Sequence, residues 1–447
     1  MINITLLSKS SELPVNLISH AAKTCYTSKV PEMGNVLDVE NSLFKTGHHT
    51  TLQHNYFTFN INGLSIASAT FGLHLASPFY NSDQRSGRYS KMYSKPDFEE
   101  IRNYILKYWK VNNIDDILSF IEKGTKIYQD NIEQATEIAK KLLKEERPFV
   151  DDESLEKLAP KIAQEQLRMF ISTISPTGLD ITLNLSAITA LWRSAWNPEM
   201  VEITNQMRDI ILEKYPDLSY MFEEKSRRTD TWAPEIDFSH IGILKEPKCY
   251  SAKFSIWNLE IGLDEVNKDA VDVRYFTPEK MDNNISNISS EIEVSIATYA
   301  QDQRHRTIKR GTPRITGNFY LPPILQELNL ENIAFAYTKE YFELCKKIDK
   351  TLAIAIAPYG IMVRYRKFAD LNAFLHEQEK RLCWCAQEEI YNVNRQLHDL
   401  LIEKDLKIIA DAMCPACYKK ACIEGKRYCG RDIAKLKENK NIPIRKV

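Results

Sequence analysis

Residues 51–64 read TLQHNYFTFNINGL, and residues 84–92 read QRSGRYSKM. From Tyr56 to Ile66 aromatic and β-branched side chains alternate with polar ones, the period of a strand with one buried face. The second stretch is a compact polar loop. In it Ser86 offers a hydroxyl, Gly87 lets backbone N–H groups approach an oxyanion, and the Arg88 guanidinium can bind bidentately. Ser-Gly-Arg is a common triplet, and by itself its default reading is a solvated loop.

Around these stretches the chain alternates strands with helices. MINITLL (1–7) reads as a strand. Pro14 to Thr24 carries apolar residues at helical spacing, running into AAKTCYTS (21–28), and Val39 to Thr46 reads as a second helix. Residues 96–146 are rich in Lys, Glu and Ile with few breakers, hence largely helical. SLEKLAPKIAQEQLRMFIS (154–172) is amphipathic and breaks at Ser175–Gly178; ITLNLSAITALWRSAW (181–196) is a strand entering a helix. A polar stretch with Pro234 and Pro247 then separates the halves. The second half repeats the order: a strand at Glu291–Ala300, a basic loop, helix from Ile333 to Ile356, then a helix containing Asp370–Arg381. This reads as a diverged tandem repeat, divided at 1–235, 236–405 and a tail at 406–447.

His54 before Phe57-Thr58-Phe59, the helix ending AAKTCYTS and the loop QRSGRYSK together resemble flavin-dependent thymidylate synthases. That resemblance implies an α+β fold, with two tandem domains of the family's type, each a twisted sheet packed with long helices. In the family an Arg-His-Arg triplet binds flavin and a Ser-x-Arg loop cradles the dUMP phosphate. The first half keeps the loop but has Ala76, Ser77 and Pro78 where the triplet belongs, and nearby His74 does not restore two cations. The second half reads QDQRHRTIKRGTPR (301–314), with Arg304, His305 and Arg306 intact and the loop shortened to Gly311–Arg314. Two guanidiniums and an imidazole suit a pyrophosphate and an electron-rich ring; a basic surface loop or a nucleic-acid patch is the alternative.

Downstream, the family's first nucleotide arginine falls on Arg168, with Asn184 at its spacing, while the second falls on Ala195, two residues beyond Arg193. In the second half the first position is Ile354, Asp370 stands at the asparagine, and Arg381 is the second arginine. The losses are complementary. The resemblance therefore implies a site shared between the halves: Gln84, Ser86, Gly87, Arg88, Arg168 and Arg381 for dUMP, with Ser86, Arg168 and Arg381 acting in catalysis. Arg304, His305, Arg306, Asp370 and His54 would hold FAD. It implies methylenetetrahydrofolate and NADPH as co-substrates, dTMP as product, and a homodimer that forms a pseudo-tetramer. Gln84 stands where many relatives carry an acid, which leaves open a related pyrimidine-nucleotide hydroxymethylase; a non-catalytic nucleotide- or flavin-binding scaffold is a third reading.

Cys414, Cys417, Cys422 and Cys429 place four thiols in sixteen residues, the density of a structural zinc site, with Gly425 and Gly430 permitting tight turns. An iron–sulfur cluster is the rival ligand. Cys383 and Cys385 read as helix-packing residues. Nine cysteines without a signal-peptide pattern suggest a reducing, cytoplasmic setting. A net charge of −1 gives no general attraction to nucleic acid or anionic lipid, and no apolar run is long enough for a membrane span.

Overall fold

The computed structural model describes residues 2–75, 80–88, 96–228, 232–257, 281–419, 422, 424–425, 428–438 and 442–447. Ala76, Ser77 and Pro78, and the end of the QRSGRYSKM stretch from Tyr89, lie outside the described residues.

The first half contains β1 (Asn3–Lys9), α1 (Pro14–Thr24), β2 (Tyr56–Ser65), α2 (Ile66–Phe71) and β3 (Tyr80–Gln84). Three helices follow, α3 (Phe98–Tyr108), α4 (Ile114–Glu146) and α5 (Asp152–Leu167), then β4 (Pro176–Asn184), α6 (Leu185–Arg193) and α7 (Pro198–Lys214). Its four strands form an antiparallel sheet in the order β1-β2-β4-β3. The alternation seen in the sequence is the pleat: Phe57, Phe59 and Ile61 of β2 are all buried. The helix expected at Val39–Thr46 is only a short turn, Glu40–Phe44.

The second half begins with β5 (Glu235–Ile236), β6 (Gly242–Leu244) and β7 (Lys248–Ser255). After α8 (Met281–Ile285) come β8 (Asn287–Ser295), α9 (Ile296–Asp302), β9 (Lys309–Arg310) and β10 (Arg314–Tyr320). Then α10 (Pro323–Glu327), α11 (Glu331–Cys345) and α12 (Lys350–Ala355) lead to β11 (Ile361–Asp370), α13 (Leu371–Arg381) and α14 (Glu388–Glu403). The strand expected over Glu291–Ala300 stops at Ser295, whose hydroxyl caps α9 by accepting the Thr298 N–H at 3.1 Å. The sheet order β7-β8-β11-β10 repeats that of the first sheet, and β5 and β6 add parallel to β10.

The same local devices recur in both halves. Asn184 caps α6 and Asp370 caps α13, each through a side-chain oxygen taking a backbone N–H at 2.8 Å. Buried Glu199 accepts from the Ser65 N–H and the Ser65 and Ser68 hydroxyls at 2.6–2.7 Å. Buried Glu389 accepts from the Ser295 N–H and the Ser295 and Thr298 hydroxyls at 2.5–2.6 Å. Each carboxylate thus ties the last helix of its half to the strand–helix junction.

Between the halves, Ser172 pairs antiparallel with Pro358. The Thr173 N–H donates to the Ala357 carbonyl at 2.8 Å, and the Tyr359 N–H to the Ile171 carbonyl at 2.9 Å. The offset relating Ser172 to Pro358 also relates the caps Asn184 and Asp370, so this bridge lies on a local pseudo-two-fold axis. Around it Tyr337 stacks on Phe120 at 4.5 Å and donates to the Phe170 carbonyl at 3.1 Å. A Cβ on Gly124 would collide with both that hydroxyl and that carbonyl, so glycine is required for the approach. One hydrophobic core runs through both halves.

The tail contributes short helices α15 (Lys407–Ala412), α16 (Ala416–Lys419) and α17 (Ile433–Glu438). Gly430 sits at φ +76° with no room for a Cβ against Val150, and its carbonyl accepts the Phe149 N–H at 2.7 Å. This docks the tail on the α4–α5 turn.

Candidate functional site

The segment Gln84–Arg88 leaves the edge of the first sheet and is gripped by both halves. The Ser86 hydroxyl accepts the Arg88 N–H at 3.3 Å, and Gln164 donates to the Gly87 carbonyl at 2.9 Å. Arg88 pairs through Nε with Glu165 and donates from Nη1 and Nη2 to the Cys385 carbonyl, at 3.2 Å each. From the second half, Arg304 donates to the Ser82 carbonyl at 3.0 Å and reaches that of Gln84 at 3.5 Å; Arg306 donates to Ser82 at 2.8 Å. The strand that leads into the loop of one half and the cationic triplet of the other therefore meet within one chain.

A buried polar network lies behind this seam. Arg168 donates to Gln387 Oε1 at 3.0 Å and lies over Tyr359. Gln301 donates to the same oxygen, while its carbonyl accepts Arg381 Nη2 at 2.6 Å. Arg168, Gln301, Arg381 and Gln387 form one connected set. Four of their polar atoms, Arg168 Nε, Gln301 Oε1, Arg381 Nε and Gln387 Nε2, are buried with no hydrogen-bond partner among the described residues. Buried polar atoms are normally satisfied by protein groups or ordered water, so this set has hydrogen-bonding capacity to offer a polar ligand or water.

His305 packs edge-on against His376 at 5.8 Å. Burial, and then the charge of Arg381, hold its pKa well below the usual histidine range, so it is a neutral ring. The triplet is anchored by Asp302, which takes Arg310 at 2.6 Å, Lys367 at 2.7 Å and the Tyr365 hydroxyl at 2.9 Å. Burial opposes the charge on Asp302, but Arg310 and Lys367 outweigh it and keep the carboxyl well below the usual range. Lys367 also meets Glu377 at 2.6 Å, whose carboxyl burial lifts to about 7. His74 accepts or donates to Ser82 Oγ at 3.1 Å and stacks on Tyr80. Burial, then Arg304 and Arg306, push it down to about 3, so it adds no positive charge.

Arg88 lines a cavity of about 410 Å³ shared with Arg147, Lys157, Lys161, Arg445 and Glu165, with Trp384 and Tyr428 as aromatic walls. Five cations face one carboxylate, the electrostatics of an anion site. Arg168, Arg304, His305, Arg306 and Arg381 do not line it. Sequence reasoning missed Lys157 and Lys161, although with Ser154 and Glu165 they follow one face of α5, a spacing that could have found them. Arg147 and Arg445 come from distant segments and gave no local signal.

Other expected residues sit elsewhere. Asp370 is engaged as a helix cap. His54 is exposed at the end of a short helical turn, His49–His54, just before β2. Gln84 is level with Leu179, and Leu179 with Ile61, so the register puts His54 seven residues along β2 from Gln84, roughly 23 Å. The chain does not bring it to Arg304. Arg314 is exposed and pairs with Glu235 at 3.1 Å. The four tail cysteines are divided: Cys417, Cys422 and Cys429 line one cavity, and Cys414 another with His398 and Asp411. Cys383 and Cys385 do not simply pack a helix; they line the first cavity with the tail thiols. Among the described residues no group of three or more His, Cys, Asp or Glu side chains has the spacing to hold a metal ion as it stands. No helix among them is long and apolar enough to cross a membrane.

Comparison with known proteins bears on the first half most directly. Residues 5–217 match the family described as thymidylate synthase complementing protein. No curated protein matches the chain. Among solved structures, thymidylate synthase X from Helicobacter pylori, with FAD and dUMP, is 18% identical and covers 51% of this chain and 100% of its own, with a TM-score of 0.32. The UMP/dUMP methylase PolB from Streptomyces cacaoi, bound with 5-Br dUMP, is 15% identical and covers 49% and 95%, with a TM-score of 0.30. Residues 5–217 are thus similar to the thymidylate synthase complementing protein family.

Proposed function

We propose that the protein is a flavin-dependent thymidylate synthase built from two diverged tandem copies, divided near 1–235 and 236–405, which converts dUMP to dTMP with methylenetetrahydrofolate and NADPH. The observation that carries this reading is the contact of Arg304 and Arg306 with the strand leading into Ser86-Gly87-Arg88. Each half lacks what the other supplies, and the fold puts the two remainders side by side.

FAD suits the residues present: Arg304 and Arg306 are cationic, His305 is a neutral ring, and Gln301 Oε1 and Gln303 Oε1 are buried without partners among the described residues. Bound there, it would supply one-carbon relay and hydride chemistry at the pyrimidine. The protein's part is electrostatic. Arg88, with Ser86, would bind the phosphate from the cationic cavity. Arg168 and Arg381, whose Nε–H groups are unspent, would donate to the pyrimidine carbonyls as negative charge develops. Gln387 and Gln301 hold both guanidiniums in place.

Release of tritium from C5-labelled dUMP, in protein whose yellow absorbance bleaches with NADPH, tests the reading. A colourless protein that binds dUMP without releasing tritium would favour a scaffold. Gln84, which donates to Thr177 and carries no charge, leaves the hydroxymethylase as a second reading, distinguished by a hydroxymethylated product. We further propose that two chains assemble into a pseudo-tetramer, which is where His54 of a second copy would reach a flavin site.

A further inference from the structure

The tail cysteines divide in a way their spacing does not suggest. The turn after α13 carries Cys383 and Cys385, and both line a small cavity of about 20 Å³ that Cys417, Cys422 and Cys429 close from the tail. Cys417 lies in the field of both Cys383 and Cys429, and so does Cys385. Cys383 and Cys385 from one segment and Cys417 and Cys429 from the other are thus linked in a ring of pairs, while Cys422, which also lines the cavity, is not among the groups acting most strongly on Cys383, Cys385 or Cys417.

A second observation points to negative charge at this place. Arg431 is 1% exposed, lines the cavity and donates from Nη2 towards Cys417 Sγ at 3.8 Å. Its Nε and Nη1 have no hydrogen-bond partner among the described residues. The lining also holds Glu379 and Glu424, but the groups that act on Arg431 most strongly are Tyr418, Tyr391, Cys417 and Cys429. A buried guanidinium is costly unless negative charge lies close to it. Four thiolates around a dication leave net negative charge, and N–H···S contacts from a neighbouring cation stabilise such sulfurs.

We propose that this cavity is a tetrahedral zinc site held by Cys383, Cys385, Cys417 and Cys429, with Cys414 and Cys422 outside the ligand set. The sulfurs ring the cavity without yet closing on one point; metal binding draws them in, each thiol releasing its proton to solvent. All four positions being sulfur, the ion is structural and carries no open position for chemistry. It also has a consequence for the site above. The Cys385 carbonyl takes both Nη groups of Arg88, so the ion fixes the turn that orients this guanidinium. That consequence, unlike the metal site itself, rests on the reading of Arg88 as a phosphate ligand.

Elemental analysis of the purified full chain, after incubation with zinc and gel filtration, tests the proposal. The wild type, Cys414→Ser and Cys422→Ser should retain about one zinc per chain, and Cys383→Ser and Cys417→Ser should lose most of it. Cobalt reconstitution of the wild type should give the intense visible bands of tetrahedral thiolate coordination, a readout independent of whether variants fold. A wild type that retains no zinc, zinc lost in C414S but kept in C383S, or iron with acid-labile sulfide would each overturn it. Weaker dUMP binding after zinc removal should accompany the loss. Unchanged dUMP affinity with one bound zinc would leave the metal site standing and reject only the coupling to Arg88.

Discussion

Arg88 is the residue on which the two halves and the anion cavity converge. Removing a charge-assisted donor to a phosphate costs about 1.5–3 kcal/mol. Arg88→Ala should therefore weaken dUMP binding by roughly tenfold to a hundredfold in calorimetric titration; unchanged affinity would remove Arg88 from the site. Asp302 has a different role. It is the shared counter-charge of Arg310 and Lys367, and Asp302→Ala would leave two buried cations without it. A loss of about 3–5 kcal/mol in chemical denaturation is expected, with Lys367 drawn onto Glu377 as partial relief. Ser86, Arg88, Arg304 and Arg306 were visible as residues before any fold was known, because each is part of a local triplet. Gln387, Gln301, Asp302 and Lys367 were not. Their roles arise from contacts between segments far apart in the chain, and no local spacing encodes those.

At the scale of elements, periodicity read well where one face is buried. The helix expected at Pro14–Thr24 coincides with α1, and the strand expected from Tyr56 with β2. It failed where a short apolar run changes structure midway: Ile292, Val294, Ile296 and Ala297 are all buried, but the Ser295 cap turns the chain from strand to helix. The clamp formed there by Glu389 has a pH signature. Burial lifts its carboxyl to about 7 from an ordinary 4.5. Between those values the folded protein holds a proton that the unfolded chain has released, so the contribution is full below 4.5 and is lost as pH rises through 7. Relative to the wild type, Glu389→Gln should therefore gain in melting temperature as pH rises across that window. A constant difference from pH 4.5 to 7 would show that Glu389 keeps an ordinary pKa in the fold.

At the scale of the whole molecule, one core runs through both halves, which meet at the Ser172–Pro358 bridge; on the proposed tandem reading, a single chain takes the place of a dimer of single-copy chains. Two chains would then complete the tetramer-like assembly. Mass measurement in solution should give two chains per flavin-bound particle, and a flavin-bound particle with the mass of one chain would rule the assembly out. The sequence by itself determined the alternation of strands and helices, the repetition of their order, and which half kept which charged motif. These are local properties, set by periodicity and by triplets of neighbouring residues. Tertiary structure alone decided that the complementary motifs meet within one chain, that His54 stands away from them, and that Cys383 and Cys385 join the tail thiols while Cys414 does not. The physical reason is that such meetings depend on sheet register and on how two halves bury a common core, and neither is carried by spacing along the chain.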